Sequence, residues 1–215
     1  MGAPALALAW VASLLVLLAP RGVLPDPGSA SRAALCLVPW LALGGLPRGT
    51  PRPATRDVLG AALLLSPLGL AVALDLRGAA VLARAWGPTL ETAVTGLGLF
   101  LLFQWAARRA AAGPRPHLHG ALWLVGVAVL PVASAMAAWD GRPGGGPAWL
   151  AWAATVSPLE WAHGRLVAGG TGWPQASAAV GSAVGASAAL APAALALLLV
   201  GVAGVGGDTA GGERG

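Results

Sequence analysis

The sequence predicts an all-α fold, a polytopic membrane bundle of about six transmembrane helices, and three observations predict it. Only 10% of the 215 residues are charged and 57% are hydrophobic, whereas soluble domains carry about 25% charged residues. The apolar residues fall in long runs, several of which match the ~20 residues that cross a bilayer core. The Trp residues gather near the ends of those runs, where aromatic belts belong.

In chain order, residues 3–19 form the first apolar run, long enough to cross at 1.5 Å per residue. A cleaved signal peptide is the alternative for this run. An uncleaved helix is the better reading, because no cation precedes the run and no small-x-small cleavage site follows it. A Pro- and Gly-rich loop leads to the second run, 30–46, which contains Pro39 and ends at Gly44-Gly45. The Arg- and Pro-rich stretch 47–56 is too short and too broken for a helix.

The third run, 58–76, carries Ser66-Pro67 as an expected kink. Residues 78–87 read as an interfacial turn stopped by Gly87-Pro88. The fourth run, 89–107, closes on Trp105 and Arg108-Arg109, and the fifth, 118–139, contains Pro131. After the linker 141–147 come two short helical pieces around Ser157-Pro158, flanked by Trp, the pattern of a re-entrant or interfacial hairpin. The sixth run, 176–205, contains Pro192, and within it Gly181 and Gly185 form a GxxxG pair that would permit close helix packing. The tail 206–215 reads as disordered, so a single transmembrane domain covers 1–205.

With the amino terminus in the cytoplasm, the short inner loops hold Arg48, Arg52 and Arg56, then Arg108, Arg109 and Arg115. The outer loops hold two Arg each against three for the inner ones. The positive-inside bias therefore puts both termini in the cytoplasm and the Trp-rich hairpin outside.

Composition also excludes functions. All 13 cations are Arg, so a P-loop or a pyridoxal Schiff base, each of which needs Lys, has no residue to build on. The absence of Lys, Tyr, Ile and Asn beside 32 Gly suggests the coding bias of a GC-rich bacterium, and discounts Gly and Ala content as a signal. The net charge of +5 does not point to nucleic acid, because the Arg residues are scattered singly between apolar runs. One cysteine, Cys36, forms no intrachain disulfide.

Candidate chemistry is sparse. Glu160 and His163 share a helical face at i, i+3 and, with His117 or His119, offer metal-ligand types. The six-span topology separates these histidines by about a membrane thickness, so a solvated polar edge is the stronger reading and no metal or other cofactor is expected. No acidic residue falls mid-span, which argues against a proton path. No nucleophile–base constellation points to an enzyme.

One motif rises above this background: Ser157-Pro158-Leu159-Glu160-Trp161, then a short helix ending at Gly169-Gly170, then Trp173-Pro174 and a long final run. This pattern resembles the carboxy-terminal part of ABC-2 type transporter permeases, which commonly carry Asn-Pro-Leu-Thr-Tyr or a variant there. Ser157 stands in place of the usual Asn, and Glu160-Trp161 in place of Thr-Tyr. The resemblance implies a permease subunit that pairs with a separate ATPase and forms a homodimer, with Ser157, Pro158, Leu159, Glu160 and Trp161 shaping an outer gate. The alternative is a non-catalytic structural or assembly subunit of a membrane complex. Both place the chain in the cell membrane with the lipid bilayer as its principal partner.

Overall fold

A computed structural model describes residues 3–18, 30–46, 79–139, 147–168 and 189–204. The run 58–76 with Ser66-Pro67, the loop 47–56 and the tail 206–215 lie outside the described residues. So do Gly181 and Gly185, the expected helix-packing pair, and of the sixth run the described part is 189–204. Every regular element among the described residues is helical. The order is α1 (Ala3–Leu18), α2 (Ala30–Gly44), α3 (Ala79–Ala112), α4 (Pro116–Leu124), a π-helical turn (Val125–Val129), α5 (Leu130–Trp139), α6 (Ala148–Ala154), α7 (Pro158–Ala168) and α8 (Leu190–Gly204).

Helix α2 lies at the centre, packed against α1, α3 and α7, while α8 packs on α3 and α4. The core is made where these helices meet, from Leu37, Trp40 and Leu41 of α2, Phe100 and Phe103 of α3, Trp123 of α4, Trp161 of α7 and Leu199 of α8. Trp40 meets Phe100 edge-on at 5.8 Å, and Phe103 meets Trp123 at 4.6 Å, both in the tilted geometry that aromatic quadrupoles favour. Polar groups join α1 to α2. The Ser13 hydroxyl lies 2.9 Å from the Cys36 carbonyl, and the Trp40 indole N–H donates to Ser13 Oγ at 3.1 Å.

Among the described residues, two helices, Leu90–Ala112 and Pro116–Ala137, are long and apolar enough to cross a membrane. Ala33–Gly44 and Leu190–Val202 are apolar but shorter. The expected stop at Gly87-Pro88 does not occur. Helix α3 runs unbroken from Ala79 to Ala112, so residues 79–87 are its first turns, not a separate interfacial turn. Proline removes one backbone donor from a helix, and the 34-residue α3 tolerates that loss.

Pro131 has a clearer structural consequence. It has no N–H for the carbonyl of Val127 four residues back, and the helix widens into the π turn Val125–Val129 just before it. The π turn thus falls at the midpoint of the continuous rod 116–139.

The carboxy-terminal end of α2 shows how the bundle satisfies its polar groups. A helix leaves its last carbonyls without intrahelical donors. Here Trp123 Nε1 donates to the Ala42 carbonyl, the Leu46 amide to Leu43, Gln104 Nε2 to Gly44 at 2.6 Å, and His119 Nε2 to Gly45 at 2.8 Å. Gly45 has to be glycine, since a Cβ there would collide with the Trp123 ring. Gly98 and Gly201 face open space, in keeping with composition bias rather than packing need.

Candidate functional site: the α6–α7 hairpin

The stretch that the sequence singles out folds as two short helices joined at Thr155-Val156-Ser157. Helix α6 packs back along α5, and α7 packs on α2. Ser157 is fully buried at the tip. Its hydroxyl donates to the Val127 carbonyl at 3.2 Å and accepts from the Leu159 amide, also at 3.2 Å. One side chain therefore does two things. It supplies a donor to the carbonyl that Pro131 cannot serve, and it caps the amino terminus of α7. Val127 sits halfway along the 116–139 rod, so the tip reaches that rod's middle.

The local sequence explains the helix start. Ser157 is the cap, Pro158 takes the first helical position, where its missing N–H costs nothing, and Glu160 sits three residues after the cap. This is the capping-box spacing. Its reciprocal half stays unmade, because the Ser157 amide donates to the Ala154 carbonyl at 3.0 Å.

The five candidate gate residues therefore lie together, though not on a common open surface. Ser157, Pro158, Glu160 and Trp161 are buried, and Leu159 is half-buried. Among the described residues, Glu160 Oε2 has no hydrogen-bond partner, and His163 Nδ1 lies 3.6 Å from it, beyond hydrogen-bond range. Trp161 Nε1 also lacks a partner, while its ring lies 5.8 Å from the Arg165 guanidinium. Arg165 Nη2 reaches across to Glu91 Oε1 of α3 at 2.9 Å. Arg165 is 6% exposed and Glu91 is 41% exposed, so the pair has one buried and one wet end. Nothing in the sequence pointed to this pairing, which joins residues 74 apart.

His119 does not join Glu160 and His163. It is held at the end of α2 by the Gly45 carbonyl, so the proton sits on Nε2. Among the described residues, no three of His, Cys, Asp and Glu come together as a metal-ligand group. The other site candidates, Gly181 and Gly185, fall outside the described residues, and the hairpin geometry does not involve them. Trp149 and Trp152 of α6 are 66% and 70% exposed, which leaves an aromatic face on the outside of the hairpin. No family model matches the chain, and neither a curated protein nor a solved structure matches it.

Proposed function

We propose that the chain is a multi-pass membrane protein with about six spans, and that it serves as the permease subunit of an ABC-2-like exporter driven by a separate ATPase. The observation that carries this reading is the helix–break–helix hairpin ahead of the last helix, seated by Ser157 against the middle of the preceding apolar rod. Set in a bilayer, that hairpin is re-entrant. In its irregular turn at 155–157, Ser157 is buried and Thr155 and Val156 are half-buried, and cover by protein is the condition for non-helical backbone at membrane depth.

Three further features support membrane residence. Only 22% of Pro116–Ala137 is buried, although it is the more apolar of the two long helices. The core helix of a soluble protein would be mostly covered. Leu124, Val125, Val129, Val132 and Met136 on this rod and Leu197 and Leu198 on α8 are exposed, a face suited to lipid. Glu91 and Ala112 are also separated by about 30 Å along α3 at 1.5 Å per residue, the thickness of a hydrocarbon core. In the N-in arrangement, the Gln104–His119 end of the bundle faces the cytoplasm and the Glu91–Arg165 end faces outward.

A second reading, a non-catalytic assembly subunit, is favoured by the burial of Ser157, Glu160 and Trp161, which serves packing as well as it serves a gate. Affinity purification from native membranes in mild detergent separates the two. Recovery of an ATPase near one-to-one supports the permease. A different membrane complex without an ATPase overturns it and leaves the assembly reading.

A further inference from the structure

Helix α7 is tied at both ends to different parts of the bundle, and the two ties differ in kind. At its amino end, Ser157 is fully buried and bonded to both Val127 and Leu159. At its carboxy end, Arg165 pairs with a Glu91 carboxylate that is 41% exposed and so open to competition from water and salt. Between the ties, α7 carries two buried polar atoms with no hydrogen-bond partner among the described residues, Glu160 Oε2, with His163 Nδ1 at 3.6 Å, and Trp161 Nε1. Each raises the free energy of the docked state, because docking removes water from the group and gives it no hydrogen bond in return. Opening a water-filled cleft from the Arg165 end would rehydrate both.

We propose that α7 is a hinged clasp: Ser157 on Val127 is the pivot, Arg165 on Glu91 is the releasable latch, and the unpartnered Glu160 and Trp161 atoms bias the clasp toward opening. The pivot lies at the π turn and Pro131, where the supporting rod is itself least regular. Gly126, next to the pivot, is in contact range of Leu195 of α8, where a Cβ would meet the Leu195 side chain at 3.0 Å. The pivot therefore borders the last helix. The clasp rests on this geometry alone and stands whether the chain transports a substrate or assembles a complex.

Amide hydrogen exchange of the full chain in lipid nanodiscs tests it with variants that push in opposite directions. Arg165→Met releases the latch and should speed exchange in 159–168 by roughly two- to fivefold, the factor a half-exposed ion pair supports. Helix α2 and the thermal midpoint should stay almost unchanged. Glu160→Leu removes one source of the opening bias and should slow exchange in α7 by at least about fivefold. Ser157→Ala should speed exchange on both sides of the pivot, in 125–130 as well as in α7. The proposal is overturned if Arg165→Met leaves α7 unchanged, if its effect spreads evenly over the bundle, or if Glu160→Leu speeds α7.

Discussion

Ser157 illustrates how a single side chain sets local structure. Removing its hydroxyl should leave the Val127 carbonyl buried without a donor and α7 without its cap, two losses of about 1–3 and about 1 kcal/mol that share one oxygen and so do not add in full. The partner change is Pro131→Ala, which restores an N–H four residues beyond Val127. In a double-mutant cycle followed by thermal unfolding in detergent, Ser157→Ala should cost about 2 kcal/mol in the native background and about half of that beside Pro131→Ala. Equal costs in both backgrounds would mean that the serine acts only as a cap. The Glu91–Arg165 pair makes a second prediction, from its asymmetry of exposure. Glu91→Ala removes the carboxylate that lies 2.9 Å from a buried guanidinium. It should lower stability by about 2 kcal/mol, less than the ~3–5 of a fully buried pair because Glu91 is partly wet. Arg165→Met leaves a carboxylate that reaches water and should cost under about 1 kcal/mol. Intrinsic Trp fluorescence during heating reads both, and the opposite order would place the buried charge on the wrong partner.

At the scale of elements, the end of α2 shows why some of the site was legible in sequence and some was not. Gln104 stands out in the sequence as the most polar residue inside an apolar run, and His117-Leu118-His119 as ligand types. What they bind is set by where α3 and α4 pass α2, and that is long-range geometry. Gln104 and His119 prove to be donors to the Gly44 and Gly45 carbonyls, 60 and 74 residues away. Gln104→Leu should therefore destabilise by about 1–3 kcal/mol, since it strands a buried carbonyl at the negative end of α2. A stability gain in thermal melts would sink the capping role. The helices themselves were legible because apolar runs with few charges can satisfy their backbones only within themselves. The short hairpin was legible for a different reason, since Ser157-Pro158 breaks the run into two pieces, each too short to cross a membrane and flanked by Trp. The Gly87-Pro88 pair misled, because proline is a strong stop signal in water but a modest one inside a long helix. Burial of the gate candidates was invisible, because α7 has apolar residues on the same turns as Glu160 and Arg165, and its partners on α2 and α3 come from distant sequence.

For the whole molecule, the question is which solvent covers the apolar residues that the bundle leaves outside. Met136 and Leu197 are 69% and 62% exposed, and they lie on α5 and α8. In water, a face of this kind would drive aggregation, whereas in lipid it requires nothing further. Cysteine accessibility decides between them, and the chain suits the method because Cys36 is its single cysteine and is buried. In a Cys36→Ala background, Arg115→Cys marks the exposed turn between α3 and α4. Met136→Cys and Leu197→Cys mark the apolar face. In membrane fragments open on both sides, a charged maleimide should react with Arg115→Cys. It should leave the other two unmodified until detergent is added, because the charged reagent is excluded from hydrocarbon and the thiolate it needs does not form there. Reaction at Met136→Cys as fast as at Arg115→Cys would put that face in water. The multi-span reading would then fail, and with it the re-entrant placement of the hairpin, although the Ser157–Val127 and Arg165–Glu91 ties would remain as features of the fold.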